Sequence, residues 1–210
     1  MPTLLRVDSS VSPESSASRR LADAFTEAWQ AAGGTVIVRD LDAEPLPHLP
    51  LRGLHFPHRP DVPEDAPARA LQDEVIQQVV DADVLLIGAP MYNYSMPSTL
   101  KAWVDHVHVP GLTSAAPGEA PPMAGRPAVV VASRGLAYDA SSPLAGSDHG
   151  TAVLELVLGE ALGMDVEVIT ADLTLAASVP ALADQAERGR AERERVITAA
   201  QDAARRLGRA

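Results

Sequence analysis

The segment 89–101 carries the side chains best suited to bind a planar ligand. Its centre, Met91-Tyr92-Asn93-Tyr94, offers two flat rings, an amide and backbone polar groups. Proline at both 90 and 97 fixes φ, which predicts a stiff loop. We therefore expect this loop to hold a planar heteroaromatic molecule. The alternative is a packed loop whose tyrosine rings cover a helix end.

A second polar segment, 9–18, contains six serines and precedes an amphipathic run. Hydroxyls and unsatisfied backbone N–H groups at a helix N-terminus favour an anion, because the helix dipole adds to their attraction. Arg19 and Arg20 follow, where cations oppose that dipole, and a bound phosphate would relieve the conflict. The segment lacks the glycine and lysine pattern of a nucleoside triphosphate loop. A plain N-cap made by one serine is the alternative.

A third segment, Ser133-Arg134-Gly135-Leu136, follows a run of valines. Gly135 would let the backbone approach a ligand closely, because glycine has no Cβ. Ser133 and nearby backbone amides could hydrogen-bond the edge of a ring, and Arg134 could hold a loop or counter an anion. A strand-end turn with a surface arginine is the alternative.

Apolar periodicity predicts an alternation of strands and helices that would position these segments. Strands are expected at 3–7, 35–39, 84–88, 128–132 and 166–170. Helices are expected at 18–32, 68–80, 97–107, 151–162 and 181–207, the last with a solvated charged face. The segment 42–67 is rich in proline and histidine and is expected to be irregular, with a short piece of helix.

This alternation predicts an α/β fold, in which right-handed crossovers build a doubly wound parallel sheet with helices on both faces. Five strands suit the flavodoxin-like order 2-1-3-4-5, whose switch point between strands one and three binds FMN. In that order, the loops after strands one, three and four lie at the same carboxyl edge of the sheet. We therefore expect the three segments to form one site.

The composition excludes several classes of function. The 210 residues suit a single domain spanning 1–210. A formal net charge of −11 disfavours nucleic acid and an anionic membrane as partners, because both need clustered cations. The chain has no cysteine, so disulfides and thiolate catalysis are excluded. With no signal peptide and no long apolar run, the expected location is the cytoplasm.

Histidines pair at spacings that a metal could use, His55 with His58 and His106 with His108. No third and fourth ligand follow at the spacing of a zinc site, so no metal is expected.

Together these segments resemble the FMN-dependent NADH-azoreductase and quinone-reductase family of flavodoxin-like flavoproteins. The resemblance is carried by the paired serines of segment 9–18, the motif from Pro90 to Lys101 with Asp105, the Ser-Arg-Gly of the third segment and the run 162–166. It implies a homodimer with two FMN sites at the interface. It also implies that the FMN phosphate is bound by Ser10, Ser16, Ala17 and Ser18. By the same resemblance, Met91 to Tyr94 would hold the isoalloxazine and Ser133 to Leu136 would line its other edge.

Three departures from the family concern the substrate pocket. Leu136 stands where the family usually has a second glycine, which would restrict the approach of the backbone to the flavin. Many members have an aromatic residue after a Gly-x-Thr, whereas this chain reads Gly111-Leu112-Thr113-Ser114. The following segment, 115–124, is short and rich in small residues and proline where members often place aromatics, which could leave a more open pocket.

The resemblance implies transfer of two electrons from NADH or NADPH to quinones or azo compounds by a ping-pong hydride mechanism. Hydride transfer needs no protein nucleophile, so no catalytic acid or base is assigned. Asn93 and Tyr94 are candidates to hydrogen-bond the reactive edge of the flavin. Two alternatives stay open: a flavodoxin-type electron carrier without a substrate pocket, and a degenerate binding protein without FMN.

Overall fold

Five parallel strands form one sheet in the order β2-β1-β3-β4-β5. The structure, a computed structural model, describes residues 1–12, 14–50, 52–55, 65–115 and 118–209. The strands are β1 (Thr3–Asp8), β2 (Thr35–Asp40), β3 (Val84–Pro90), β4 (Pro127–Ser133) and β5 (Asp165–Ala171). The predicted order and the all-parallel pairing are confirmed.

The three inner strands are buried along almost their whole length. All seven residues of β3 are buried, and so are six of the seven in β4. Both strands are continuous apolar runs, as expected where helices cover both faces of a parallel sheet. The register aligns Asp8 with Gly88 and Pro90 with Ser133, so the carboxyl ends of β1, β3 and β4 lie at one edge.

The helices complete the crossovers between these strands. They are α1 (Ala17–Ala31), α2 (Arg52–His55), α3 (Ala66–Asp81), α4 (Ser98–Val107), α5 (His149–Leu154) and α6 (Ala186–Leu207). A π-helical segment, Glu155–Ala161, continues α5, and a 3₁₀-helix, Pro180–Gln185, precedes α6.

Two apolar cores lie on opposite faces of the sheet. One contains Phe25 and Trp29 of α1 with Val196 and Ala200 of α6. The other contains residues of α3, α4 and α5 around the fully buried Trp103. Helices therefore cover both faces, as predicted. Most charged residues of α6 are exposed, whereas Arg193 is half-buried and borders a small space between α6 and α1.

The helix boundaries differ from the predictions at two places. The helix expected at 151–162 begins at His149, because the Asp148 side chain accepts from the Thr151 N–H at 3.0 Å and caps it there. Its second half, Glu155–Ala161, is π-helical. The sequence could not predict this, because apolar spacing over seven residues does not distinguish the α-helical from the π-helical hydrogen-bond pattern. The last helix, expected as one piece, begins with the 3₁₀ segment at Pro180.

The segment expected to be irregular, 42–67, contains α2 and the start of α3 within its described residues. Residues 51 and 56–64 lie outside the described residues. Among the described helices, none combines the length and apolar character that crossing a lipid bilayer requires.

Candidate functional site

Loops from four strands meet in a cleft of about 590 Å³ at the carboxyl edge of the sheet. The cleft is lined by residues from the loops after β1, β3, β4 and β5 and by two helical arginines: Ser10, Ser12, Ser15, Ser16, Ala17, Arg20, Pro90, Met91, Tyr92, Ser133, Gly135, Thr174, Leu175, Ala177, Ser178 and Arg193. The three segments singled out in the sequence therefore do come together at one edge.

The loop after β1 is held in place by hydrogen bonds from its own serine side chains. The Ser9 hydroxyl donates to the Gly88 carbonyl at 2.7 Å, which ties the loop to β3. Ser16 caps α1 by accepting from the Arg19 N–H at 3.2 Å. The first-turn N–H groups of Ala17 and Ser18 have no acceptor within the helix. This end of the cleft therefore presents hydroxyls and free donors to an anion.

Ser18 lies behind this surface. Its side chain is buried, and its hydroxyl is 3.0 Å from that of Ser16. Ser10, Ser16 and Ala17 line the cleft, whereas Ser18 does not. Ser18 can reach a ligand in the cleft only through its backbone N–H.

The two arginines in the first turn of α1 have different surroundings. Arg19 is buried and binds both carboxylate oxygens of Asp40 at 2.7 and 2.8 Å. It also donates to the Ser10 carbonyl at 2.8 Å. Arg20 is exposed, lines the cleft and donates to the Ser15 carbonyl at 3.1 Å. The expected conflict with the helix dipole is thus relieved at Arg19 by a carboxylate of the chain itself rather than by a ligand.

The carboxylates around Arg19 have shifted pKa values of opposite sign. Hydrogen bonds from Arg19 lower the pKa of Asp40. Burial raises the pKa of Asp8, although Arg6 and Arg19 both lie beside it and act in the other direction. One carboxylate oxygen of Asp8 accepts from Arg6, and the other is buried and has no hydrogen-bond partner among the described residues. This buried network holds the start of the loop after β1 in place.

The Tyr-Asn-Tyr segment after β3 forms a two-residue turn of type I′. The N–H of Tyr92 donates to the Ser95 carbonyl at 2.8 Å, and the return bond is 3.1 Å. Asn93 has φ 50° and Tyr94 has φ 68°, the left-handed region in which asparagine is common and tyrosine is not. The turn therefore holds a tyrosine in an unfavourable conformation at the rim of the cleft.

The three side chains of this turn point to different places. The Tyr92 hydroxyl lies 3.2 Å from the Ser10 hydroxyl and accepts from the Val11 N–H at 3.2 Å, so it joins the two loops. Tyr92 and Asn93 border a second cleft of about 500 Å³ beside Lys101. Tyr94 is 52% exposed and lines neither space. Of the residues predicted to hold a ring, Met91 and Tyr92 line the main cleft.

The loop after β4 contributes Ser133 and Gly135 to the cleft. A Cβ at Gly135 would lie 2.7 Å from Cδ1 of Leu175. A side chain at this position would therefore meet Leu175, while Gly135 itself lines the cleft; the expected close approach of its backbone to a ligand stays a prediction. Leu136 is 36% exposed beside this contact.

Arg134 uses its side chain to hold loops together. Its guanidinium binds Asp172 at 2.6 Å and Asp148 at 3.1 Å, and it lies 5.2 Å from the centre of the Tyr138 ring. The first of the two roles considered for Arg134, holding a loop, is the one its contacts support. With two carboxylates bound, the side chain is not free to counter an anion.

The sequence did not predict that the loop after β5 and the N-terminal part of α6 would belong to the site. Thr174, Leu175, Ser178 and Arg193 line the cleft. Backbone bonds from this loop to the loop after β4 hold it there, for example from the Leu175 N–H to the Gly135 carbonyl at 3.2 Å. The same rule that placed three loops at the carboxyl edge applies to a fourth, so the strand pattern contained the signal.

The histidines take up other positions. His106 is buried with Nε2 3.0 Å from the Pro47 carbonyl oxygen, and the rings of His55 and His108 are 5.8 Å apart. Burial, and then the nearby His55, lower the pKa of His108. His58 lies outside the described residues. Within the described part of the chain, no three His, Asp or Glu side chains are grouped so as to hold a metal ion.

The chain is similar to a family of known proteins over almost its full length. A family model described as a flavodoxin-like fold matches residues 2–199. A protein of Kineococcus radiotolerans named FMN-dependent NADH:quinone oxidoreductase is 47% identical over 212 residues, covering 99% of this chain and 100% of its own. A protein of the same name from Streptomyces coelicolor is 44% identical over 214 residues, covering 99% of this chain and 96% of its own.

Solved structures of other proteins have the same fold as this chain. An azoreductase from Bacillus anthracis has a TM-score of 0.77 at 23% identity, with 99% of each chain covered. An FMN-dependent NADH-azoreductase from the same species, in complex with FMN, has a TM-score of 0.80 at 18% identity, with 98% of this chain and 99% of its own covered. At these identities the likeness is one of fold.

Proposed function

Because the chain belongs to the flavodoxin-like family that includes the FMN-dependent NADH:quinone oxidoreductases, we propose that it is an FMN-dependent oxidoreductase. It transfers two electrons from NADH or NADPH to a quinone or an azo compound. The observation that carries the proposal is the cleft in which loops after β1, β3, β4 and β5 meet. The proposal treats residues 1–210 as a single FMN-binding domain.

The residues of the cleft fit FMN. A volume of about 590 Å³ lies within the range of about 300–1,000 Å³ typical of cofactor pockets. Ser10, Ser16 and the N-terminus of α1 supply donors that suit a phosphate. Met91, Tyr92 and Gly135 line the same cleft and border space suited to a planar ring. The cleft thus offers groups that suit both parts of the cofactor.

Under this proposal, Ser10, Ser16, Ala17 and Ser18 hold the phosphate. The ring lies between two loops, Met91 to Tyr94 on one side and Ser133 to Leu136 on the other. Since Ser18 is buried and the guanidinium of Arg134 is bound to two carboxylates, both residues would act through their backbones.

Bound FMN would supply the ring that accepts and returns hydride. The chain holds that ring and shapes the place where donor and acceptor alternate. Leu136 and Leu175 are 36% and 46% exposed beside the cleft and offer apolar surface to an aromatic acceptor. The Asn93 amide is exposed at the turn, where it borders the second cleft, and it is the candidate hydrogen-bond donor to the reactive edge. A homodimer and a cytoplasmic location are also part of this proposal.

Anaerobic addition of NADH to the FMN-loaded protein tests the proposed function. One equivalent of NADH should bleach the flavin absorbance, and a quinone added afterwards should restore it without any further NADH, as a ping-pong mechanism requires. A flavodoxin-type carrier would keep its absorbance when NADH is added. A degenerate binding protein would take up no FMN at all. Either result would overturn the proposal.

The role of Asn93 is best tested with glycine. Because Asn93 has φ 50°, Asn93→Ala would combine loss of the amide with backbone strain. Asn93→Gly also removes the amide, but glycine adopts the positive φ of this turn without strain. We expect Asn93→Gly to lower the rate of flavin reduction by NADH at least fivefold with little change in the melting temperature. A reduction rate equal to that of the wild type would remove Asn93 from the mechanism.

A further inference from the structure

Two arginines on separate helices line the same end of the cleft. Arg20 is in the first turn of α1, and Arg193 is in the second turn of α6. Both line the cleft beside Ser16 and Ala17, and both also line a small space between α1 and α6. Because Arg20 and Arg193 border both cavities, their side chains lie close to one another. They lie at the end proposed to hold the phosphate.

Neither arginine has a carboxylate partner in the described part of the chain. Arg20 donates only to the Ser15 carbonyl, and Arg193, although partly buried, makes no hydrogen bond or ion pair with described residues. Most arginines elsewhere are paired, as Arg19 is with Asp40 and Arg134 with Asp172. The chain carries 28 acidic residues against 17 basic ones, so carboxylates are plentiful.

An anion in the cleft would supply the missing partner. Guanidinium groups form strong, directional hydrogen bonds to phosphate oxygens. A phosphate monoester carries between one and two negative charges near neutral pH, which a protein of net charge −11 repels at long range. The serine hydroxyls and backbone N–H groups at the start of α1 are neutral donors, so they cannot offset this repulsion. A local pair of cations would offset it.

Resting on the proposed function, we propose that Arg20 and Arg193 bind the phosphate of the flavin cofactor and thereby select FMN over riboflavin. The two side chains approach the phosphate from α1 and α6, while the serine loop approaches it from the N-terminus of α1. Riboflavin has the same ring without the phosphate, so the arginines add nothing to its binding.

Flavin titrations of Arg20→Gln and Arg193→Gln test this inference. Quenching of flavin fluorescence gives the Kd of FMN and of riboflavin for each protein without any turnover. We expect the Kd of FMN to rise at least tenfold in each variant, while the Kd of riboflavin changes less than twofold. Raising the salt concentration should weaken FMN binding to the wild type more than to the double variant.

Arg190→Gln is the matched control. Arg190 is an exposed arginine on α6, like Arg193, but it lies outside the cleft. Replacing it with glutamine changes the net charge by the same amount as Arg193→Gln. Its FMN affinity should equal that of the wild type. Arg193→Lys keeps the charge but loses the planar guanidinium, so we expect it to recover part of the FMN affinity lost in Arg193→Gln.

The outcomes separate this inference from the proposed function. A wild-type protein that binds no flavin would overturn both. If the wild type binds FMN and both glutamine variants bind it equally well, the inference alone fails. Equal losses of FMN and riboflavin affinity would show a general effect on the site and would also overturn it. So would an unchanged FMN affinity with a raised KM for NADH or NADPH, since the arginines would then serve the nicotinamide donor.

Discussion

Two walls of the cleft are held in place by different means. The loop after β1 depends on side chains: Arg19 binds Asp40 and the Ser10 carbonyl, and Ser9 binds β3. The turn after β3 depends on the backbone, through the paired bonds between Tyr92 and Ser95 and a bond from the His149 N–H to the Tyr94 carbonyl at 3.0 Å. The Tyr92 hydroxyl connects the two walls.

This difference determines which substitutions should damage each wall. Removing a charged side chain should disrupt the loop after β1, and the effect should depend on pH. The turn after β3 should tolerate loss of side chains but not an added atom where its backbone packs against a helix.

Arg19→Ala should cost the most stability. It removes both hydrogen bonds to Asp40 and one of the two arginines beside the buried Asp8, which keeps only Arg6, and breaking a buried ion pair from one side costs about 3–5 kcal/mol. The free energy of unfolding in urea measures this loss. Arg20→Ala is the control, because an exposed residue with one hydrogen bond should change stability by less than about 0.5 kcal/mol. Equal losses in the two variants would contradict the contrast between these neighbours.

Asp40→Asn should destabilise the protein most at neutral pH. Hydrogen bonds from Arg19 lower the pKa of Asp40 from its usual 3.8, so the folded state favours the charged form. Its contribution is therefore complete above that value and is lost as the pH falls through the lowered folded pKa. Since hydrogen bonds to charged groups contribute about 1.5–3 kcal/mol, we expect a loss of that size at pH 7.

Urea unfolding of the wild type and Asp40→Asn at pH 7, 5 and 3.5 checks this dependence. The difference in free energy of unfolding should be constant from pH 7 to 5 and should begin to narrow below about pH 4. The raised pKa of Asp8 acts in the opposite direction, since its protonated form favours the folded state, and it is present in both proteins. A difference that grows in acid would show that Asp40 is not held by Arg19.

Gly150→Ala should disturb the turn after β3 by adding a single methyl group. Its Cβ would lie 2.7 Å from the Met96 nitrogen and 2.8 Å from the Ser95 carbonyl carbon, which are backbone atoms and cannot rotate away. Overpacking of this kind costs about 1–3 kcal/mol, and we expect the same loss at pH 7 and pH 5. Thermal and urea unfolding measure it.

Gly159→Ala is the matched control in the π-helical segment that continues α5. The nearest atom to its Cβ would be Cγ2 of Val166 at 3.6 Å, which is an ordinary contact. This variant should be as stable as the wild type or slightly more so. If Gly150→Ala proved equally harmless, the turn would not depend on its fit against α5.

Tyr92→Phe should have the smallest effect, because it removes one oxygen at the junction of the walls. Loss of the contacts with Ser10 and Val11 should cost about 0.5–1.5 kcal/mol and weaken FMN binding severalfold. Tyr94→Phe is the control, since the Tyr94 hydroxyl makes no hydrogen bond within the described residues. Flavin titration and urea unfolding should separate the two variants, and identical behaviour would contradict the role of Tyr92 as a connector.

The strand order could be predicted from the sequence because its signals are local. Continuous apolar runs such as Val129 to Val131 are typical of buried parallel strands, and their alternation with amphipathic helices restricts the topology. The strand order then brought the loops after β1, β3 and β4 to one edge. The resemblance carried by the segment Met91 to Tyr94 then predicted FMN as the ligand of this edge.

The division of roles within the site could not be predicted in this way. Arg19 and Arg20 are adjacent and chemically identical, and only the fold brings Asp40 to one of them. Leu175 lies 40 residues beyond Gly135, yet it fills the space next to that glycine. Such contacts depend on side-chain packing between distant segments, to which local periodicity is not sensitive.

A crystal structure of the protein with FMN would show whether the loops at the carboxyl edge of the sheet hold one flavin. The phosphate should lie beside Ser16 and Ala17, within reach of Arg20 and Arg193. The ring should lie between the loop at Met91 and the loop at Ser133. A flavin bound elsewhere, or crystals that stay free of flavin at saturating FMN, would overturn the proposed site.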